Sequence, residues 1–338
     1  MAATLLRRLV AAVALLAAVL SVALASPMGA SAAPGDPEGG NKTLREALES
    51  AAKGHIEAQT RLKNSQKRQK QLNSTLLEVQ VETKQLEVQV AEVASRSYRM
   101  GRFRTIAMLL NATSPDSFLE RAERLDMMAQ LDGRALVRFR EAVAKYARAK
   151  KAIDLEIKEQ QKQVTVMAKK KREAEAALAS VGGGGVAGGF ISANSPLAKP
   201  APRNPDGSWP QESCTIDDPT TSGCITPRLL HAYLEARVAG FRRYTSCFSQ
   251  RSSGEHPKGR ACDFSASSDG FQNVDASGGD RTYGNNLAAF LVRNASRLGV
   301  MYVIWYRQIW MPSTGWRSYS GSGGPSATHT NHVHLSVL

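Results

Sequence analysis

The chain has 338 residues, and 44 Lys and Arg residues against 30 Asp and Glu residues give a formal net charge of +14. A basic protein of this kind is attracted to anionic polymers and membrane surfaces. The basic residues are interspersed with acidic ones along helical segments and lack interleaved aromatic residues. Composition therefore argues against a nucleic-acid binder and favours a solvated helix surface.

The N-terminus has the features of a secretory signal. Two arginines at positions 7 and 8 precede a predominantly apolar run over residues 9–25. Small-x-small cleavage patterns follow at residues 23–25 and 30–32. These features predict a signal peptide over residues 1–32 and a secreted, extracytoplasmic protein, with a retained N-terminal anchor as the alternative.

Residues 41–181 carry hydrophobic side chains at alternating three- and four-residue spacing, which predicts an all-α, antiparallel coiled-coil hairpin. We expect Gly101 to end the first arm and residues 105–110 to form a short apolar helix in a small helical tip. Ser114 is a predicted cap for the next helix, since Pro115 suits the first helical position.

The rest of the chain divides into a linker and a second domain. Residues 182–212 are rich first in Gly and then in Pro, which predicts a linker that is flexible at first and stiffer later. Residues 213–338 have the pattern of a compact α+β domain. Helices are predicted from Pro227, with Leu229, Leu230, Tyr233 and Leu234 on the apolar side, and over residues 287–298; strands are predicted over residues 243–249, 260–266, 300–306 and 332–337.

All four cysteines lie in this second domain. An even number of cysteines in an exported domain predicts two disulfides, and three connectivities are available. We favour Cys214–Cys224 with Cys247–Cys262, because the first pair closes a short loop. A four-cysteine zinc site is the competing interpretation, but the close C-x-x-C spacing that such a site needs is absent.

Four of the six histidines cluster in two short segments of the second domain. His256 and Asp263 are seven residues apart, and His334 follows in a predicted terminal strand. Three protein ligands leave the fourth position of a zinc ion open to water, as in catalytic sites. We therefore predict a Zn²⁺ site with His256, Asp263 and His334 as ligands. His332 lies two residues before His334, so both side chains share one strand face, whereas Cys262 lies on the face opposite to Asp263. The alternative interpretation is that the histidines and the aspartate cluster by accident and bind no metal.

The pattern His256-x-x-Gly259-x-Ala261-x-Asp263, followed by His332-x-His334, resembles the VanY-type zinc D-alanyl-D-alanine carboxypeptidases and endopeptidases. Their fold is shared with the signalling domain of hedgehog proteins, so the resemblance implies a zinc-peptidase-like fold for residues 213–338.

By this resemblance, His256, Asp263 and His334 would be the zinc ligands. His329 or His332 would be the general base and stabilise the transition state, and Arg251 would contact the substrate. Many relatives carry an acidic base shortly before the last histidine, but residues 281–338 contain no Asp or Glu. Glu255 and Asp280 are the remaining acidic candidates for the base.

The helical part carries a second, more degenerate pattern. Tyr98-x-x-Gly101 and the later Ser114-Pro115-x-x-Phe118 resemble the coiled-coil hairpin of secreted peptidoglycan hydrolases that act at the division site. The resemblance implies docking on a membrane division complex and restraint of the hydrolase. A plain structural spacer is the alternative.

Taken together, these features predict an exported, cell-wall-associated zinc metallopeptidase that hydrolyses peptide bonds of peptidoglycan in the D-alanine-containing stem or cross-link. The expected partners are peptidoglycan peptides and a membrane division complex, not nucleic acid. The alternative is a non-enzymatic envelope protein that binds the cell wall or activates another enzyme. The sequence leaves open whether a terminal D-alanine is trimmed or a cross-link is cut.

Overall fold

The computed structural model describes residues 42–190, 195–321 and 323–338. They form two compact units. One comprises the described residues up to His55 with residues 170–204 and 209–338, and the other comprises residues 56–169 and 205–208. The predicted signal peptide lies outside the described residues. Among the helices that are described, none is both long and apolar enough to cross a membrane.

Two long helices make up the N-terminal part, as predicted in outline. Helix α1 spans Lys42–Leu110 and helix α2 spans Pro115–Ala179. Gly101 interrupts α1 with non-helical torsion angles (φ 60°, ψ 162°), which glycine tolerates because it lacks a Cβ. Helix α2 begins at Pro115, and the Ser114 hydroxyl accepts a hydrogen bond from the Ser117 backbone N–H at 3.2 Å. The predicted cap is confirmed.

Within the unit formed by residues 56–169, polar contacts join the two helices. Arg68 pairs with Glu156 at 2.7 Å, and Arg96 pairs with Asp132 at 2.7 Å. Residues further along α1 pair with residues earlier in α2, so the two helices run in opposite directions.

Residues 182–212, predicted as a linker, have little regular structure where they are described. Several backbone groups nevertheless form hydrogen bonds with the sheet domain. The Gly184 N–H donates to the Ser318 carbonyl at 3.0 Å, and the Ala201 N–H donates to the Arg297 carbonyl at 2.8 Å. These bonds hold the described parts of the segment along the surface of that domain.

The C-terminal domain is built on an antiparallel six-stranded sheet with the strand order β3-β4-β8-β5-β6-β7. A two-stranded sheet, β1 with β2, lies apart from it. The elements are β1 Ile216–Asp217, β2 Cys224–Ile225, α3 Pro227–Val238, β3 Thr245–Ser246, β4 Ala261–Ser265, α4 Gly278–Arg293, α5 Ala295–Leu298, β5 Val300–Trp305, β6 Gln308–Met311, β7 Gly315–Ser318 and β8 His332–Val337.

The two faces of the large sheet bury different partners. One face packs against α3, α4 and α5, with Phe264, Trp305 and Leu335 at its centre. On the other face, Tyr302, Ile304, Ile309 and Met311 pack against the two ends of the long helices that belong to this unit, through Leu44, Leu48, Ala51, Ala52, Ala174 and Leu178. We call residues 42–55 and 170–179 the arm base.

All four predicted strands are present, although β3 is shorter than expected. The helix that begins at Pro227 is confirmed, with the Thr226 hydroxyl accepting from the Leu229 N–H, but Leu234 is 48% exposed and does not belong to the apolar face. The second helix begins at Gly278, earlier than predicted, and ends at Arg293; Asn294 then separates it from the short helix α5.

Both predicted disulfides form, Cys214 with Cys224 and Cys247 with Cys262. The described chain has no free cysteine, so a four-cysteine zinc site is ruled out. Two disulfides indicate an oxidising, extracytoplasmic environment.

Candidate metal centre

Three elements of the C-terminal domain bring the predicted ligands together. His256 begins a single 3₁₀ turn, His256–Lys258, which ends at Gly259 in a left-handed conformation (φ 67°). Asp263 lies on β4 and His334 on β8, and the two are direct cross-strand partners. Cross-strand partners in an antiparallel pair share a face of the sheet. The turn then places His256 above the same face.

The ligand atoms of these three residues converge on one point. His256 Nε2 lies 3.4 Å from His334 Nδ1 and 3.2 Å from Asp263 Oδ2, and His334 Nδ1 lies 2.8 Å from Asp263 Oδ1. Ligand atoms held tetrahedrally at zinc distances are roughly 3.3 Å apart. All three side chains are buried, with exposures of 1%, 7% and 0% for His256, Asp263 and His334. This buried group could bind a metal ion.

The outer nitrogens of both histidines are engaged elsewhere. His256 Nδ1 faces the carbonyl oxygen of Cys247, which only accepts, so Nδ1 carries the proton. In the neutral ring, Nε2 therefore carries a lone pair, and this lone pair faces a carboxylate oxygen of Asp263. Two acceptors at that distance need a proton or a metal cation between them. His334 Nε2 lies 2.8 Å from Ser336 Oγ, the kind of outer contact that orients a metal-binding histidine.

The charge of Asp263 is maintained despite its burial. Burial alone would raise its pKa, but the nearby His256 and His332 rings and the close contacts with His256 and His334 lower it well below its usual value. Arg251 adds a further positive charge, with Nη2 3.5 Å from Asp263 Oδ2 and Nε 2.9 Å from Ser249 Oγ. The site therefore offers an ionised carboxylate.

His332 and His329 line the same site. The ring of His329 lies 4.7 Å from that of His332 and 5.6 Å from that of His334 between centroids. His329 reaches the site although its sequence spacing is wrong for the strand face. It precedes β8 in a turn and has a positive φ of 52°, which re-aims its side chain.

Both additional histidines are neutral near pH 7. Burial lowers the pKa of His332 to about 4, and burial followed by the neighbouring His332 and His334 lowers the pKa of His329 well below its usual range. His332 Nδ1 donates to Asn331 Oδ1 at 2.7 Å, so its Nε2 lone pair faces Asp263 Oδ1 at 3.5 Å. Among the described residues, neither ring nitrogen of His329 has a hydrogen-bond partner.

The acidic alternatives for a base lie elsewhere. Asp280 forms an ion pair with Arg243 at 2.8 Å, in the first turn of α4. Glu255 is buried beside His256, but its oxygens face Lys258 at 3.0 Å and Arg260 at 2.5 Å. Burial raises the pKa of Glu255 to about 7. Among the candidates for the base, the two histidines are therefore those that line the ligand cluster.

Sequence reasoning missed the support around the ligands. The ring of Tyr302 stacks on that of His334, with centroids 5.5 Å apart and planes 9° apart. The Cys247 carbonyl and the Ser336 hydroxyl hold the outer nitrogens of the two histidine ligands. Only Ser336 had a sequence signal, because it lies two residues after His334 on the same strand face.

Comparison with known families gives a match to part of the C-terminal domain. The family described as VldE, C-terminal domain, matches residues 221–330, about a third of the chain, so this region is similar to that domain. The matched range includes His256, Asp263 and His329 and ends just before His332 and His334. No curated protein and no solved structure matches the chain.

Proposed function

We propose that this protein is an exported zinc metallopeptidase that hydrolyses peptide bonds of peptidoglycan. The observation that supports it most is the convergence of His256 Nε2, Asp263 and His334 Nδ1 on one buried point. Two imidazoles and one carboxylate form a donor set that suits zinc and leaves a coordination position for a water molecule.

The residues present fit such an ion. His256, Asp263 and His334 would hold it, with Cys247 and Ser336 orienting the two rings. Bound Zn²⁺ supplies Lewis acidity, which lowers the pKa of a water molecule and polarises a carbonyl group. The side-chain charge of the ligand set is −1, so the site with zinc would keep a net positive charge.

The neighbouring histidines supply proton transfer. His332 is neutral, and its Nε2 lone pair faces the ligand cluster, so it can accept a proton from the attacking water. His329 is close enough to His332 to act as the second histidine, which receives the proton that His332 takes from the water and passes it to the leaving amine. Arg251 is suited to bind a substrate carboxylate or a developing oxyanion beside Asp263.

The substrate class rests on the resemblance of the two histidine motifs to zinc D-alanyl-D-alanine peptidases. The name of the VldE family specifies no reaction, so that match neither adds to nor limits the proposal. The long helices would act as a coiled-coil arm that targets or restrains the enzyme. Trimming of terminal D-alanine and cleavage of a cross-link are both compatible with this site.

The test compares wild type with His334→Ala and with His231→Ala as the matched control. His231 is a histidine of α3 whose Nε2 contacts the Lys199 carbonyl, outside the ligand cluster. We expect wild type and His231→Ala to bind about one zinc ion and to release new peptide ends from purified wall sacculi. His334→Ala should lose both properties and still fold, as judged by circular dichroism.

Two results would contradict the proposal in different ways. Full hydrolysis by His334→Ala would end the zinc mechanism. Zinc bound by wild type with no new peptide ends from sacculi would favour the non-enzymatic wall-binding alternative. Mass spectrometry of the released muropeptides would then assign a carboxypeptidase or an endopeptidase activity.

A further inference from the structure

The turn that carries His256 is fastened to the first helix of the chain. Glu49 of α1 accepts from Lys258 Nζ at 2.7 Å through one carboxylate oxygen and from Arg260 Nη2 at 2.5 Å through the other. Lys258 and Arg260 also contact Glu255, the residue before His256. One side chain of the arm base therefore binds both basic residues that follow the metal-ligand candidate.

A neighbouring position on the same helix face makes a second contact. Arg45 lies one helical turn before Glu49, and residues at this spacing share a face. Its guanidinium donates to the Ser253 hydroxyl, in the loop that leads into His256. Leu44 and Leu48, on the apolar side of the same segment, pack against Tyr302 and its sheet neighbours. Helix α1 thus contacts the chain both before and after His256.

Apart from the Cys247 carbonyl, which binds His256 Nδ1, the turn has few other restraints of its own. It is a single 3₁₀ turn preceded by residues 247–255, which lie outside the named strands and helices. On the opposite side, the Thr226 N–H donates to the Gly259 carbonyl at 2.8 Å, and a Cβ at Gly259 would lie 2.5 Å from Cys214 Sγ. The Cys214–Cys224 side therefore confines the turn from one direction only, and Glu49 confines it from the other.

The arm base also lies close to the second histidine ligand. Arg45 and Leu48 line a small cavity together with Tyr302, the residue that stacks on His334. Helix α1 is therefore linked to both histidines: through Lys258, two residues after His256, and through Tyr302, which stacks on His334.

We infer that Glu49 is a positioning residue for the metal site, which fixes the turn of His256 through Lys258 and Arg260 and so makes the metal affinity depend on the arm base. The inference rests on the proposed metal site and not on the peptidase activity. No bond to the metal is involved. The effect of Glu49 is to hold the His256 ring where its lone pair meets Asp263 and His334.

The charge of Glu49 is central to this role. Burial would raise its pKa, but the bonds from Lys258 and the charge of Arg260 lower it to about 2. The carboxylate is therefore ionised at neutral pH. Glutamine at this position keeps the size of the side chain, but its amide offers one acceptor in place of two charged ones.

The experiment measures binding of Zn²⁺ alone by competition with a chelator, at a temperature where each variant is fully folded. Glu49→Gln is compared with Glu46→Gln. Glu46 is an exposed glutamate on the same helix, 3.8 Å from Lys42. We expect Glu49→Gln to weaken zinc binding about 10-fold, the size of effect seen when an outer support of a ligand is lost. Glu46→Gln should bind like wild type.

Two further measurements separate positioning from a general loss of stability. The visible absorption of bound Co²⁺ reports coordination geometry and should change in Glu49→Gln but not in Glu46→Gln. Combining Glu49→Gln with Lys258→Met should weaken zinc binding by less than the product of the two single effects, since both changes remove the contact between Glu49 and Lys258.

Equal zinc affinity and equal Co²⁺ spectra in wild type and Glu49→Gln would overturn the inference, whatever happens to the melting temperature. Failure of the wild-type protein to bind zinc would instead remove the metal site itself. The two failures are therefore distinguishable in the same titration, and neither depends on hydrolysis of any substrate.

Discussion

At the scale of single residues, the site depends on which nitrogen of each imidazole faces the centre. His256 presents Nε2, because its Nδ1 is held by the Cys247 carbonyl. His334 presents Nδ1, because its Nε2 lies against the Ser336 hydroxyl. A neutral imidazole has one lone pair, so these outer contacts decide where it points.

Changing Ser336 to Ala tests this arrangement. The substitution removes the group 2.8 Å from His334 Nε2, so the ring is no longer held in the orientation that aims Nδ1 at Asp263. We expect zinc affinity to fall about 10-fold, because outer hydrogen bonds of metal-binding histidines have effects of this order. Zinc titration with a competing chelator measures the change.

Ser318→Ala is the matched control for that substitution. Ser318 is a strand serine on β7, at the far edge of the sheet, and its hydroxyl accepts from the Gly185 N–H at 3.0 Å. It should lower stability without changing the zinc affinity. If both serine variants bind zinc like wild type, Ser336 has no part in orienting His334.

The convergence of the three candidate ligands could be predicted from the sequence, whereas the side chains and carbonyl groups that orient them could not. The spacing of His256, Asp263 and His334 pointed to one cluster before any fold was known. Tyr302 reaches His334 because β5 pairs beside β8, and the Cys247 carbonyl reaches His256 because a loop folds back. Contacts of this kind depend on strand order and loop path, which a linear pattern does not specify.

At the scale of elements, the bond between α1 and the His256 turn makes a prediction about pH. The folded-state pKa of Glu49, about 2, lies below its ordinary value of 4.5. A lowered pKa contributes stability above pH 4.5, and this contribution is lost as the pH falls from 4.5 towards 2. The groups that face Glu49 are Lys258, Arg260 and Glu255, and Glu255 is protonated below its pKa of about 7.

We therefore expect wild type to be more stable than Glu49→Gln by about 1.5–3 kcal/mol at pH 5, the usual size for hydrogen bonds to a charged group. The difference should shrink steadily as the pH falls to 2.5. Urea unfolding of the metal-free proteins at several pH values measures it. A constant difference over this range would mean that the Glu49 carboxylate does not titrate as the contacts require.

The elements themselves were largely predictable, because their signals are local. The runs that became β4, β5 and β8 are rich in strand-forming residues, and Thr226-Pro227 gave the start of α3. The start of α4 was missed because Gly278 and Gly279 are poor helix formers. The sequence pattern that places Leu44 and Leu48 on one helix face is the same whether that face packs on a helix or on a sheet. Packing of the arm base on the sheet was therefore not predicted.

At the scale of the whole molecule, the chain returns twice to the same sheet face. Leu44 and Leu48 come from the start of α1, and Ala174 and Leu178 come from the end of α2. Together they bury the face formed by Tyr302, Ile304, Ile309 and Met311. The arm base is therefore part of the hydrophobic core of the domain that holds the metal centre, and the sequence boundary near residue 213 does not separate two independent cores.

This arrangement predicts different outcomes for two deletions. Removing residues 42–181 exposes the apolar side chains of β5 and β6, and the lost burial amounts to on the order of 5 kcal/mol or more. Since that is comparable with the whole stability of a typical domain, we expect the product to aggregate or to unfold at low urea concentration. Removing only residues 56–169 keeps the arm base and its contacts.

The second deletion needs only a short Gly-Ser connector between His55 and Lys170, because a Cβ on Gly54 would lie 2.7 Å from Lys170 Cε. We expect this shortened protein to unfold cooperatively and to bind zinc like the full chain, because Glu49 still holds the His256 turn. Size-exclusion chromatography, urea unfolding and zinc titration of both deletions make the comparison. A stable, monomeric, zinc-binding product of the complete deletion would show that the sheet face needs no cover, and it would remove the structural basis for coupling between the arm base and the metal centre.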